Sequence, residues 1–146
     1  MQIETAFEQV SAIRPLSRGL AAAGAFTLAA GSFMVGYFEP TSAGFFPVCP
    51  LYTLTGIACP GCGLTRGFHA LFHGDWATAF HFNLLVPVWA IIFAWVFVSF
   101  VLTAIRGKGL PMWPVYPKFL TVFFAVLLVF GVLRNIPAWP LTMLYP

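Results

Sequence analysis

Residues 84–105 read LLVPVWAIIFAWVFVSFVLTAI, 22 consecutive residues without a charge. As a helix this run is about 33 Å long, enough to cross the roughly 30 Å hydrocarbon layer of a bilayer. Pro87 falls in its first turn, where a missing N–H does least damage. A lipid-spanning helix is therefore the first element the sequence specifies, and the surrounding composition agrees. Of 146 residues, 60% are hydrophobic, 18% aromatic and 8% charged, and the mean hydropathy is +0.91. Soluble domains carry about 25% charged residues, and seven Lys/Arg with four Asp/Glu cannot coat a water-facing surface of this size. Disorder is excluded by 17 Phe and 5 Trp, the opposite of a disordered composition. The net charge of +3 comes from scattered basic residues, with no basic and aromatic patch of the kind nucleic acid needs.

Outward from this run, Leu20–Phe38 gives a second uncharged stretch of nineteen residues. It exceeds the roughly 7–15 apolar residues of a cleaved signal peptide, so it is expected to remain as an anchor. Its small residues, Gly24 and Gly36 among them, allow close helix contact. Phe119–Leu133 is a third run, fifteen residues between Lys118 and Arg134. At about 22 Å it needs snorkelling basic ends or local thinning to span. Before Leu20, Ile3, Phe7, Val10 and Ile13 recur at helical spacing, the pattern of an interfacial helix that Arg14-Pro15 is expected to end.

Basic residues set the orientation. With three spans, Arg14, Arg18, Arg106, Lys108 and Lys118 fall on one side, and Arg66 and Arg134 on the other. The positive-inside rule makes the first side cytoplasmic. The expected layout is a single membrane domain over 1–146. It has an interfacial helix at 1–15, spans at 20–38, 84–105 and 119–135, and an outward-facing segment at 39–83. A cytoplasmic connector occupies 106–118 and an interfacial tail 136–146.

The 39–83 segment holds all three cysteines and all three histidines. Pro60 directly after Cys59 suits the first position of a helix, which would make Cys59 an N-cap and run the helix to about Phe72. A thiol there meets the positive end of the helix dipole, so Cys59 is the better candidate for a reactive thiolate. On such a helix Cys62, Arg66, His69 and His73 share one face. Cys49, Cys59, Cys62 and Arg66 form a candidate thiol site. Cys49, Cys59 and Cys62 with His69 or His73 form a candidate set of soft metal ligands, zinc or a similar ion, although the sequence demands no cofactor. The ordinary alternatives are cysteines that pack a tight turn and histidines that face headgroups and water. Gly74 is expected to end the helix and Asp75 to cap another, with Asn83 bonded to nearby backbone.

The run C-P-x-x-x-x-T-G-x-x-C-P-G-C-G-x-T-R, Cys49 through Arg66, with His73-Gly74-Asp75 and Asn83 after it, resembles the signature of a family of small bacterial inner-membrane proteins classed as a domain of unknown function. That signature commonly has Asn-Pro-Leu before the next span, where this chain has Asn83-Leu84-Leu85. The resemblance implies a multi-pass membrane protein with the motif in a loop or re-entrant element. It supplies no catalytic residue and no substrate.

The expectation is thus an all-α integral membrane protein with three transmembrane helices and an interfacial or re-entrant helix-turn-helix. It lies in the inner membrane with the lipid bilayer, and other membrane subunits, as partners. The leading function is an accessory or scaffold component of a membrane assembly, leaning away from an enzyme and with no catalytic residue assigned. The alternatives are a thiol-disulfide or metal-binding protein using Cys59 and Cys62 and, more weakly, a solute channel or transporter, since uncharged spans lack the usual marks of an ion path.

Overall fold

The computed structural model describes residues 2–42, 44, 46–111 and 117–144, and for 2–14, 117 and 143 the backbone alone. Every regular element among the described residues is helical. They are α1 Gln2–Tyr37, α2 Pro50–Thr55, α3 Leu64–Phe72, α4 Trp76–Phe82, α5 Val86–Arg106 and α6 Pro117–Leu133, with a 3-10 turn at Leu141–Leu144. Two helices are long and apolar enough to cross a membrane, Pro15–Tyr37 within α1 and Val86–Arg106, and Lys118–Leu133 is a shorter apolar helix. The apolar windows of the two longer helices are only 6% and 0% buried within the protein. A core helix of a soluble protein would be covered by its own chain, so these surfaces are compatible with contact with lipid.

The first helix departs from expectation at its start. Arg14 and Pro15 do not end an interfacial helix, because α1 runs without interruption from Gln2 to Tyr37 with Pro15 inside it. A proline removes one helical hydrogen bond, and the rest of the helical ladder continues past it. The amphipathic face expected on Ile3, Phe7, Val10 and Ile13 concerns side chains outside those described. Trp113, Pro114 and Tyr116 of the connector and Tyr145 of the tail also lie outside the described residues.

The chain forms two compact units, Met1–Ser32 with Ile91–Pro111, and Phe33–Ala90 with Met112–Pro146. In the first, Gly24 lies against the Phe100 ring, where an added Cβ would sit 2.8 Å from a ring carbon. The small residue is what lets the helices approach, as the sequence suggests. Arg18 donates from Nε to Ala104 O at 2.9 Å and from Nη2 to Ile105 O at 2.7 Å. These are carbonyls of the last turn of α5, which lack helical partners and favour a cation. The pairs 18 with 104–105 and 24 with 100 make the two helices antiparallel, with Arg18 and Arg106 at the same end. Beyond α5, Leu110 N–H donates to Ser99 Oγ at 3.2 Å, so the start of the connector folds back on the helix.

In the second unit α3 packs on α4, around buried Ala70, Ala79 and Val86 with Leu64 and Leu71 beside them. Asp75 caps α4 by accepting the Thr78 N–H at 3.0 Å, and Gly74 takes φ +77° after α3, both as expected from the sequence. The bonds to Thr78 also lower the Asp75 carboxyl below its ordinary range. Trp89 meets Phe123 edge-on at 5.5 Å, joining α5 to α6.

Gly67 of α3 lies against Val86 at the start of α5 and Ala79 of α4. A Cβ there would lie 2.5 Å from Val86 Cγ2 and 3.2 Å from Ala79 O. Gly67→Ala would gain about 1 kcal/mol of helix propensity, but overpacking a closed contact costs about 1–3 kcal/mol and here one obstacle is backbone. The variant is expected to unfold in detergent at lower temperature than the wild type, and an unchanged or raised Tm would contradict this packing.

Candidate functional site

The cysteine motif folds differently from the expected helix. Pro60 does not start α3, and Cys59 is not its N-cap. The helix begins at Leu64 behind Gly63, whose φ of +81° is left-handed. Such a residue cannot belong to a continuous right-handed helix, so residues 60–63 form a separate turn. Cys62 N–H donates to Cys59 O at 3.0 Å and Leu64 N–H to Gly61 O at 3.0 Å. The cysteine that does cap a helix is Cys49, with Pro50 in the first turn of α2 and Gly56 at φ +71° past its end. That Pro-in, Gly-out pattern was present in the sequence and marks α2 in hindsight.

The two turns bring the thiols together. The Sγ atoms of Cys49, Cys59 and Cys62 all lie within 4.8 Å of one another. Cys59 Sγ and Cys62 Sγ are 3.1 Å apart and all three are free thiols. Around a tetrahedral zinc ion with bonds of about 2.3 Å, sulfurs stand roughly 3.8 Å apart, inside the range observed. Cys59 N–H donates to Cys62 Sγ at 3.2 Å. The Tyr52 backbone N–H, followed by the Cys59 thiol, lowers the Cys49 thiol to about 7. Burial, reinforced by the neighbouring thiols, pushes Cys62 up to about 12.

Three polar side chains clamp the backbone beneath these sulfurs. Asn83, 1% exposed, donates from Nδ2 to Pro60 O at 2.9 Å and Cys62 O at 3.1 Å, while its Oδ1 accepts Leu85 N–H at 2.9 Å. This is the backbone-bonding role the sequence suggests, and it delays the start of α5 to Val86. Asn135 pairs with Ala58 twice, accepting its N–H at 2.8 Å and donating to its carbonyl at 2.8 Å. Arg134, also 1% exposed, donates from Nη1 to Cys59 O at 2.8 Å and Cys62 O at 3.1 Å, with Phe130 stacked 5.1 Å from its Cζ. Arg134 was expected to snorkel from a short span. Instead it turns inward and holds both cysteines of the turn. Nothing in its local sequence separates it from an ordinary basic span end.

The histidines are not brought to the sulfurs. His69 Nδ1 donates to Val35 O at 2.8 Å and His73 Nε2 to Gly36 O at 3.0 Å. These carbonyls belong to the last turn of α1, so the two rings, 4.5 Å apart, cap that helix. Arg66 lies with its Cζ 5.0 Å from the centroid of the Phe82 ring. It also lines a cavity of about 280 Å³ together with Cys49 and Cys62. Among the predicted site residues, Cys49, Cys59 and Cys62 converge, Arg66 shares a cavity with Cys49 and Cys62, and His69 and His73 serve the helix end.

Comparison with curated proteins and with solved structures gave no match. Residues 49–97, which begin at Cys49 and contain the whole cysteine turn, match the family described as "Protein of unknown function (DUF2752)", in agreement with the resemblance carried by the motif.

Proposed function

We propose that this is a three-span membrane protein whose outward segment holds a soft metal ion on the thiolates of Cys49, Cys59 and Cys62. The observation that carries it is the convergence of three sulfurs, one from the cap of α2 and two from the 59–62 turn, within 4.8 Å. Packing alone would not require three thiols to face one point, and the clamps from Asn83, Asn135 and Arg134 give the turn the rigidity a metal site needs. This convergence favours metal binding over the accessory role that composition suggests, and over a channel.

The membrane layout has its own support. The end of α1 meets α3 through His69 and His73, the end of α6 meets the cysteine turn through Arg134, and α5 begins directly after Asn83. Three helix ends thus gather at the motif segment, as an up-down-up arrangement requires. In the sequence Arg18 and Arg106 are separated from the motif by the apolar runs, and the positive-inside rule supports an outward-facing motif.

The test is metal analysis with thiol counting on protein purified in detergent without reductant. About one zinc or other soft ion per chain is expected, with thiols that label only after chelation. Cys49→Ser and Cys59→Ser should weaken binding by more than roughly 100-fold, since even outer partners of a metal site cost about 10–100-fold. Metal-free protein with a Cys59–Cys62 disulfide would replace this reading by thiol-disulfide chemistry.

A further inference from the structure

We infer that α2 and its flanks dip into the bilayer surface on the motif's side of the membrane, where lipid covers the side chains of Val48, Leu51, Leu54 and Ile57. This rests on the three-span layout proposed above and is independent of any metal on the sulfurs. The four residues recur at every third position, and all are exposed, Leu54 at 84% and Val48 at 68%. No residue of α2 is buried. Apolar residues scattered singly on a surface are ordinary, whereas a contiguous patch marks a partner or a membrane. The sequence carries no charge between Glu39 and Arg66. Apart from Glu39 at its start, every charged residue and histidine of the 39–83 segment lies at Arg66 or beyond it. The segment is therefore divided into an apolar half built around α2 and a polar half built on α3 and α4.

Two observations select lipid, and not a protein, as the cover. The first is depth. Ala58 exchanges two hydrogen bonds with Asn135 and Cys59 O accepts from Arg134, which fixes neighbouring Ile57 beside the residues that follow the end of α6 at Leu133. In the three-span layout that end lies at the membrane surface, and Val129 and Val132 shortly before it are exposed. The second is how the polar groups are satisfied. Backbone that enters a membrane outside a regular helix must find its partners within the protein. Gly56 N–H donates to Tyr52 O at 2.9 Å and Ile57 N–H to Thr55 Oγ1 at 3.1 Å. The carbonyls of Pro60 and Cys62 accept from buried Asn83. The hydroxyls of α2 turn back onto their own backbone, Thr53 Oγ1 donating to Cys49 O at 2.7 Å and Thr55 Oγ1 to Leu51 O. A protein partner is held in part by hydrogen bonds across the contact, and here the hydroxyls that could donate them are turned inward. Lipid chains ask for none.

The experiment places an environment-sensitive fluorescent amino acid in the full chain, its cysteines intact, in place of Leu54 or, in a second protein, of Val126 in α6. Both side chains are exposed, so neither replacement disturbs the packing. Each protein is reconstituted in phosphatidylcholine nanodiscs whose acyl chains carry bromine either just below the headgroups or near the chain ends. Iodide serves as the quencher in water. The probe at 54 is expected to lose most of its emission to the shallow bromines, less to the deep ones and little to iodide, the pattern of an element about 5–10 Å below the surface. The probe at 126 marks the middle of a span and should be quenched most by the deep bromines. Quenching at 54 by iodide and not by lipid would place α2 in water and overturn the inference. Emission at 54 that neither quencher reaches would mean that a protein, such as a second copy of the chain, covers the face, and would overturn it equally. Lipid quenching at 54 without any at 126 would remove α6 as a span and leave α2 as a membrane contact, and its absence at both positions would remove both.

Discussion

Arg134→Ala is expected to destabilise the protein by about 3 kcal/mol. Arg134 is the largest fully buried side chain among the described residues. Its removal takes away two charge-assisted hydrogen bonds, to Cys59 O and Cys62 O, and the stack on Phe130. Such bonds contribute about 1.5–3 kcal/mol each, and a desolvated cation–π contact about 2 kcal/mol. Against this stands the cost of keeping a guanidinium out of water, several kcal/mol, which the variant recovers. The cavity left by the long side chain tips the balance toward loss. Arg134→Met separates the parts, because it keeps most of the packing and deletes the charge. It should regain much of the stability while metal affinity still falls about 10–100-fold, as for other second partners of metal ligands. Unfolding in detergent and competitive metal titration measure the two quantities. An Arg134→Ala protein as stable as wild type, with unchanged metal affinity, would leave Arg134 without the clamping role assigned to it.

Asn83→Asp tests the same clamp by charge. The side chain keeps its shape, but a carboxylate oxygen would replace the amide nitrogen that faces the carbonyls of Pro60 and Cys62. At neutral pH a buried anion against two carbonyl oxygens costs several kcal/mol, more than the roughly 3 kcal/mol expected for Asn83→Ala from its lost hydrogen bonds. The carboxyl therefore protonates at higher pH in the folded protein than in the unfolded chain, where its pKa is about 3.9. With a folded value raised in this way, the group's full contribution to stability is present below about pH 4 and is lost as pH rises through the folded value. Asn83→Asp should accordingly recover stability on mild acidification relative to Asn83→Ala, because the protonated carboxyl can donate to one carbonyl. Parallel pH profiles for the two variants would show that the side chain does not face those carbonyls.

The apolar runs, the Asp75 cap and the Gly74 stop were legible because each depends on residues within a turn or two of one another. Charge-free length is enough to mark a helix suited to lipid, and a short polar side chain beside a helix start is enough to cap it. Pro15 misled because local proline chemistry says "break", while α1 carries on past the loss of a single backbone hydrogen bond. The Cys59-Pro60 pair misled for a related reason. It has the same local signature as Cys49-Pro50, and only the left-handed turn at Gly63 separates a helix cap from a sulfur-bearing loop.

By itself the sequence determined an all-helical, lipid-compatible chain and the 39–83 segment as the place where its cysteines and histidines gather. Those properties follow from local composition and spacing, so folding was not needed to see them. Tertiary structure alone decided which side chains meet. It drew Cys49 to a pair ten and thirteen residues away, turned Arg134 from a span-end charge into a buried clamp, and kept His69 and His73 at the end of α1, away from the sulfurs. Each of these choices satisfies a backbone carbonyl or gathers sulfurs contributed by separate elements, and a partner distant in the chain leaves no period or motif beside the residue that needs it.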